Sequence, residues 1–532
     1  MKLSFSRFHS LFTQSAVLFS SVLLLSGCDN VKAFFARTVP DSVHEENTQD
    51  RSPAAEDEAA FNTLLRGVYH EMKLNVAEID SNEQADFLRD LLEGLVIYDK
   101  KGDIRPAVAE GWSSQDGKIW RFNLRRNAYW SNGTAVTAQD FVRGWRHLIQ
   151  SQSPLKQYFA FMNITNAQAI LAGKAKPESL GVEAIDDKQL QISLDKSTPY
   201  LPKMLAHIAL LPQFSGEGTE FVGNGAYRLA GRQADTILLS QNENYWDHGH
   251  VHFPQVQYKK LPQQQAVNDL DFVADVVNSG NVAPLYFPKL CTYFYEFNFN
   301  DPYLKQSAVR NSLVSMVSSG AIVQGERLPV IKIDYFVPRN MESEQDSSWE
   351  DMAVENVLKQ SGISESHPLH LKLTYDQEGI HGQIANRLIR DWSQSELITV
   401  QNDPVSWQQL LEKRSKGDYQ IIRSGWCADY NDPSAFFNLL YSKNPDNKTG
   451  LKNAELDQLI EQSWNYALSA QEREAIYQKI LTIAHRERVF LPIFQYSKPV
   501  FIKRDIAGYD VTNPTEIIYS KDLYRRKRSE LN

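Results

Sequence analysis

The chain has 532 residues, of which 42% are hydrophobic, and it carries a formal net charge of −9 with an isoelectric point near 5.8. This length and composition predict a folded protein with enough residues for roughly two or three domains. The acidic balance and the lack of a long basic block argue against nucleic acid as a partner. We interpret the short basic run from Arg525 to Arg528 as a solvated end.

The first 28 residues predict a secretory signal peptide that ends in a bacterial lipobox. A positively charged start precedes an apolar stretch, and Leu25-Ser26-Gly27-Cys28 closes it. The apolar stretch is too short to favour spanning a bilayer. Cys28 is therefore the expected site of lipidation, and several acyl chains on it would anchor the protein to a membrane. A plain signal peptide with an incidental cysteine is the alternative.

Residues 29–58 are rich in Asp, Glu, Asn, Ser and Thr and contain few apolar side chains. Such a segment cannot bury enough surface to fold, so we interpret it as a flexible tether. From residue 59 onward, strand-like and helix-like patterns alternate, which predicts a mixed α/β fold.

The clearest patterns of the first half predict a strand, a helix and a hairpin. Residues 120–124 alternate apolar and polar side chains, as a half-buried strand does. Thr137 precedes Asp140 at the spacing of an N-terminal capping box, which predicts that a helix begins there. Residues 180–194 predict a hairpin.

The second half predicts an aromatic-rich strand at 291–298 and a short strand at 371–375. Helical patterns occur at 308–316, 351–360, 380–392, 454–465 and 471–486. The last two are the most strongly amphipathic. Strands alternating with helices support the α/β class.

Three histidines, His248, His250 and His252, recur at every second residue. On an extended segment their imidazoles would point to one face and could hold a metal or haem iron. No fourth ligand stands at an obvious spacing. We therefore expect a polar hairpin tip with solvated histidines, and neither a metal nor a cofactor.

The motifs of several common enzyme classes are incomplete or absent in the sequence. His70-Glu71 has Leu74 where a zinc protease helix needs its second histidine. Neither a Gly-x-Ser-x-Gly motif nor a Walker loop occurs in the sequence. Nothing in these motifs requires catalysis, and we expect a binding protein.

The most informative motif is Trp426-Cys427-Ala428-Asp429-Tyr430, which places one carboxylate between aromatic rings. Burying an unpaired carboxylate is costly, so an Asp in an apolar, aromatic-lined cleft suits a site that is filled by a cation. This pattern makes Asp429 the candidate receptor for one ammonium group. The alternative is an Asp that caps a turn or faces solvent in the surrounding loop.

Four motifs resemble those of the oligopeptide-binding proteins of bacterial ABC importers, the solute-binding proteins of family 5, in their lipoprotein form. They follow the order of that family: Leu92-Glu93-Gly94-Leu95, Trp130-Ser131-Asn132-Gly133 with Asp140-Phe141, Gly223-Asn224-Gly225-Ala226-Tyr227, and Gly425 to Tyr430. The resemblance covers nearly the whole folded body. It implies an α/β fold, a two-lobed periplasmic-binding-protein clamshell with an additional third domain.

The resemblance also implies how the chain divides. Lobe I is expected to comprise residues 59–91, 213–290 and 495–532, the additional domain 92–212, and lobe II 291–494. The segments 263–290 and 311–350 are shorter than the corresponding segments of the family pattern. Part of the pocket wall is therefore expected to differ.

Roles for individual residues follow from the same resemblance. In the family, the residue at the place of Asp429 holds the α-amino group of a bound peptide. Arg423 and His381 match residues that meet the peptide's carboxylate end, and a guanidinium fork suits a carboxylate. The residues alone leave open an internal salt bridge for Arg423 and an exposed loop histidine for His381. The other expected binding residues, on a strand that would pair with the peptide backbone, are Gly425, Trp426 and Cys427.

Cys291 and Cys427 remain as a pair if Cys28 carries lipid. In an oxidising compartment such a pair is either a disulfide or two separate buried thiols. The resemblance implies the disulfide, since Cys291 begins a segment that matches the family's first bridging segment.

The expected function is that of a monomeric, lipid-anchored substrate-binding subunit of an ABC importer. It would face the periplasm from the inner membrane, capture short peptides or peptide-like ligands, and deliver them to a permease with cytoplasmic ATPase subunits. The alternatives are a binding protein for haem, glutathione or another non-standard ligand, a periplasmic peptidase, and an envelope interaction protein.

Overall fold

The structure is a computed structural model that describes residues 61–216, 220–262, 267–276, 279–326, 329–342 and 353–527. Cys28 and the expected tether, 29–58, lie outside these described residues. Within them, no helix combines the length and the apolar character that crossing a bilayer requires.

The strands are numbered in chain order. They are β1 (Thr63–Val68), β2 (Val96–Tyr98), β3 (Ile104–Pro106), β4 (Ala109–Ser114), β5 (Ile119–Leu124), β6 (Val182–Asp186), β7 (Gln189–Ser193), β8 (Tyr227–Gln233), β9 (Thr236–Gln241), β10 (Gln255–Lys260), β11 (Phe272–Ala274), β12 (Leu285–Phe297), β13 (Val330–Lys332), β14 (Leu369–Asp376), β15 (Ile398–Val405), β16 (Ile421–Cys427), β17 (Phe490–Ile502), β18 (Ile506–Ala507) and β19 (Tyr524–Arg525).

The α-helices are numbered in the same way. They are α1 (Asn82–Leu91), α2 (Ala138–Gln150), α3 (Gln157–Phe161), α4 (Ala167–Leu171), α5 (Leu201–Met204), α6 (Ser307–Ser315), α7 (Ser319–Glu326), α8 (Val354–Gln360), α9 (His381–Trp392), α10 (Trp407–Lys416), α11 (Ser434–Phe437), α12 (Ala454–Ser463) and α13 (Ala470–Arg486).

One large mixed sheet runs through the described residues in the order β15-β14-β16-β12-β17-β11-β1-β10-β9-β8, with β13 paired to β17. Its centre is formed by β12 and β17, two long strands that pair in antiparallel orientation. Their side chains alternate between two hydrophobic cores, because successive strand residues point to opposite faces. Tyr293 and Tyr295 belong to the core around β14 and α9, whereas Phe294 belongs to the larger core of the molecule.

The domain boundaries expected at 290/291 and 494/495 fall inside these two strands. β12 and β17 therefore carry the chain from one expected lobe to the other. The pairing is irregular between Pro288 and Thr292. The division into lobes stays a prediction, and these strands are where it places the connection.

A second, antiparallel sheet has the order β4-β5-β7-β6 and lies within residues 109–193. Helix α2 packs on it and buries its apolar face, with Trp145 fully inside. The predicted capping box begins this helix: the Asp140 carboxylate accepts hydrogen bonds from the Thr137 amide at 2.8 Å and from the Trp130 indole at 3.2 Å. The predicted strand at 120–124 and the predicted hairpin are both confirmed, as β5 and as β6 with β7.

Candidate functional site

The motif around Asp429 lies at the end of β16, in the middle of the large sheet. On one side β16 pairs with β12 over its whole length, and on the other side β14 pairs only with Ile421 and Ile422. Among the described residues, the second half of β16 thus has one edge without a strand partner. A Cβ atom at Gly425 would lie 2.8 Å from the Thr292 carbonyl oxygen, which explains why a glycine stands there.

A disulfide bond joins Cys291 of β12 to Cys427 of β16. The two cysteines are direct neighbours in the strand register. They are separated by 136 positions in sequence, so the chain-entropy model assigns the bond a stabilisation of about 5 kcal/mol. The bond fixes the end of β16, from which the Asp429 loop departs.

Asp429 is solvent-exposed, and its carboxylate makes neither a hydrogen bond nor an ion pair with the described residues. Protein atoms are nevertheless dense around it. This desolvation raises the pKa of the Asp429 carboxyl to about 6. An unpaired carboxylate in such surroundings favours a cation as its partner.

Aromatic residues of the 92–212 region face Asp429. Burial, and after it the charge of Asp429, raises the pKa of the Tyr158 hydroxyl, so the two groups are close. Tyr158 stacks on His207 with 3.8 Å between ring centroids and donates a hydrogen bond to the Met204 carbonyl oxygen at 3.0 Å. The pKa of the Tyr98 hydroxyl, which is also buried, is likewise raised by burial and further by the charge of Asp429. Two buried tyrosines of the 92–212 region therefore lie close enough to Asp429 for its charge to act on them.

The loop after Asp429 is held by its neighbours rather than by Asp429 itself. Asp432 accepts a hydrogen bond from the Ser434 amide at 3.0 Å and forms an ion pair with Lys203 at 2.7 Å. Asn431 donates to the Gly102 carbonyl oxygen at 3.1 Å. The structural cap of this loop is thus Asp432, and the Asp429 carboxylate takes part in none of these contacts.

Arg423 lies on β16, where its side chain is buried and already paired with another side chain. Its Nη1 lies 3.5 Å from the Asp376 carboxylate, and its Nη2 lies 3.2 Å from His381 Nε2. The guanidinium also lies over the Tyr293 ring, 5.0 Å from the centroid. The internal salt bridge that the sequence left open for Arg423 is present.

His381 is the first residue of α9 and is largely buried, so it is not an exposed loop histidine. Its Nδ1 lies 3.2 Å from the Tyr293 hydroxyl. Burial, and then the charge of Arg423, lowers the pKa of His381 to about 3. The imidazole is therefore neutral at physiological pH.

A sequence profile of known proteins matches this chain. The profile of the bacterial extracellular solute-binding proteins, family 5 Middle, matches residues 103–448. The match covers more than half of the 532 residues. The chain belongs to the family 5 solute-binding proteins.

Full-length relatives agree with this assignment. A putative binding protein of Haemophilus influenzae is 44% identical to this family 5 protein, over 97% of this chain and 98% of the relative. The periplasmic murein peptide-binding protein MppA of Escherichia coli is 31% identical, over 87% of this chain and 93% of MppA. These relatives are named as binding proteins and not as enzymes.

Solved structures confirm the expected fold class, the α/β clamshell with an additional domain. The unliganded open form of the murein tripeptide-binding protein MppA superposes with a TM-score of 0.81, at 30% identity, covering 88% of this chain and 98% of MppA. Another structure of Escherichia coli MppA, also at 30% identity and covering 88% and 99%, reaches only 0.61. At equal identity, this family 5 protein is thus more similar to the unliganded open form of MppA than to the second MppA structure.

The three histidines are exposed and lie between the antiparallel strands β9 and β10, as expected for a hairpin tip. His248 and His250 lie on a single turn of 3-10 helix, in which the His250 amide donates to the Asp247 carbonyl oxygen at 3.0 Å. His252 instead contacts the Tyr524 ring. In the part of the chain that the structure describes, no three His, Cys, Asp or Glu side chains are grouped as a metal site needs.

Sequence reasoning missed Asp376, the ion-pair partner of Arg423. It ends β14, and the parallel pairing of Leu373 with Ile421 brings it beside β16. The only local signal is an Asp in the Tyr-Asp-Gln-Glu-Gly run just before His381. That run does not reveal its partner.

Proposed function

We propose that this family 5 protein captures short peptides or peptide-like ligands by their α-amino group, which pairs with Asp429. The observation that carries the proposal is the unpaired carboxylate of Asp429 among aromatic side chains, with the pKa of its carboxyl raised to about 6. A ligand ammonium supplies the missing counter-charge. The free edge of β16 offers backbone groups to a peptide strand, and the relative MppA is named as a murein peptide-binding protein.

Capture proceeds by closure of the open cleft. A bound ligand that contacts both lobes favours the closed form, because only differential affinity for one state shifts the equilibrium. Closure excludes water and strengthens the ammonium–carboxylate attraction, since the effective dielectric falls. The closed form would then dock on an inner-membrane ABC permease, whose ATPase subunits drive uptake.

Titration with a library of free short peptides tests this function. The protein without residues 1–28 should bind members of the library in a calorimeter, and chromatography after incubation should recover them intact. Intact, bound peptides support the proposal. Cleaved peptides would indicate a peptidase, and no binding by any peptide would contradict peptide capture.

The affinity is expected to depend on pH through Asp429. Its carboxyl is charged only above a pKa of about 6, so protons compete with the ligand ammonium below that value. Between pH 7.5 and pH 5 the affinity for a free peptide should fall about tenfold, because a group one unit below its pKa is about one-tenth ionised. Calorimetry at both pH values measures this, with the N-acetylated peptide as a control that should not respond. Equal affinities for the free peptide would contradict the prediction.

The lipid anchor is a separate part of the proposal and rests on Cys28. Replacing Cys28 by Ser removes the expected acylation site, so the variant should be recovered from the soluble periplasmic fraction instead of the membrane fraction. Immunoblots of the two fractions measure the shift. A Cys28→Ser protein that stays in the membrane fraction after its signal is cleaved would contradict the anchor.

A further inference from the structure

The Arg423 guanidinium, which the family resemblance places at the carboxylate end of a bound peptide, is already compensated by a neighbouring carboxylate. The side chains of Arg423 and Asp376 are 5% and 3% exposed, and their charged atoms lie 3.5 Å apart. Asp376 also lies 3.5 Å from His381 Nε2. Within the described residues, Oδ1 of Asp376 and Nε of Arg423 have no hydrogen-bond partner, so this pair is held by charge more than by hydrogen bonds.

The neighbouring groups add no positive charge. His381 is neutral, since its pKa is lowered to about 3. Glu378, exposed two residues after Asp376, contributes a second negative charge that acts on the Asp376 carboxyl. The guanidinium also neighbours the rings of Tyr293 and Trp407 and the hydroxyl of Tyr496, none of which carries a positive charge. The single positive charge of Arg423 therefore faces two carboxylates, those of Asp376 and Glu378.

A ligand carboxylate at this position would meet Asp376 as well as Arg423. Like charges at such a distance repel, and their repulsion is strong in a cleft with little water. If Arg423 turned away to bind the ligand, Asp376 would stay behind as a buried charge without its cation, which is costly. A neutral amide avoids both penalties, because its carbonyl oxygen can accept from a guanidinium and its N–H can donate to a carboxylate.

We propose that Asp376 is a specificity-determining residue that makes the Arg423 end of the cleft select a neutral amide over a free carboxylate. The preferred ligands are then peptides that end in a carboxamide there or whose chain continues past Arg423. This inference rests on the proposed function, since it concerns the far end of the same bound peptide. In this proposal Asp376 disfavours ligand carboxylates, whereas Asp429 recognises the ligand ammonium.

The test uses alanine peptides of two to five residues, each with a free carboxylate and with a C-terminal amide, and measures both affinities by calorimetry. In the parent protein, the amide should bind at least as tightly as the acid at every length. Asp376→Asn keeps the shape and frees the guanidinium. For the peptide length at which the terminal carboxylate reaches Arg423, this variant should raise the ratio of acid affinity to amide affinity about tenfold or more.

Asp403→Asn is the matched control. Asp403 lies on β15, next to β14, where it accepts a hydrogen bond from Thr374 at 2.8 Å and lies 3.5 Å from Lys413. Its replacement removes one carboxylate from the same sheet without touching the Arg423 pair, so the affinity ratio should stay at the parent value.

Two results would overturn the inference while peptide binding stands. One is a parent protein that binds the acid more tightly than the amide at any length, which can be measured even if Asp376→Asn does not fold. The other is a folded Asp376→Asn variant with the parent's ratio at every length. If no peptide binds the parent, the proposed function fails and this inference fails with it.

Discussion

Replacing Asp429 by Asn is expected to weaken the binding of a short peptide by about thirtyfold or more. The substitution keeps the side-chain shape and removes the negative charge that pairs with the ligand ammonium. Losing one partner of a buried charge pair costs about 2–5 kcal/mol. Calorimetric titration of parent and variant with the same free peptide at pH 7.5 measures the loss, since the Asp429 carboxyl, with its pKa near 6, is then charged.

The ligand-free variant should be as stable as the parent, because Asp429 has no partner among the described residues. Asp432→Asn is the control, three positions along the same loop. It removes a carboxylate that pairs with Lys203 and caps the loop, so it should lower stability. The control should still distinguish a free from an N-acetylated peptide. An Asp429→Asn variant that binds as tightly as the parent would exclude a charge pair at this residue.

The second large effect concerns the buried ion pair behind β16. Arg414 of α10 contacts the Glu296 carboxylate through Nε at 3.0 Å and Nη2 at 2.7 Å, and Glu296 is 1% exposed. Ser424 of β16 donates to the same carboxylate at 2.9 Å. Arg414→Leu leaves Glu296 buried without its cation and should lower the free energy of unfolding by about 3–5 kcal/mol. Guanidinium unfolding followed by circular dichroism measures this loss.

The double variant Arg414→Leu with Glu296→Leu separates charge from packing. Because neither charge remains, it should recover at least half of the loss. Lys416→Leu is the control on the same helix, since Lys416 pairs with Glu412 on the exposed surface. Its unfolding midpoint should stay close to that of the parent. A double variant no more stable than Arg414→Leu would show that packing of the arginine, and not the buried charge, stabilises this site.

Features encoded within a few residues could be predicted from the sequence. The capping box of Thr137 with Asp140 gave the start of α2, since both partners lie within one helical turn. Helices expected at 454–465 and 471–486 occur as α12 and α13, shifted by one or two residues at their ends. The motif that singles out Asp429 is also local in sequence, whereas the tyrosines near its carboxylate, Tyr98 and Tyr158, come from a distant part of the chain.

Features that depend on strand register could not be predicted. Asp376 and Arg423 meet only because β14 and β16 are parallel neighbours in one particular register. Glu296 and Arg414 are likewise distant in sequence and close in space. Periodicity predicts that a strand exists, but a shift by one residue would turn these side chains to the other face. The state of His381 depends on the same packing, since its low pKa arises from burial and from Arg423.

The most direct test of ammonium recognition is a calorimetric cycle that combines Asp429→Asn with N-acetylation of the peptide. If Asp429 receives the α-amino group, acetylation should weaken binding to the parent about thirtyfold or more and should add little further loss in the variant, because both changes remove one interaction. Additive losses, or equal affinity of the parent for the free and the acetylated peptide, would contradict the assignment of Asp429 as the amine receptor.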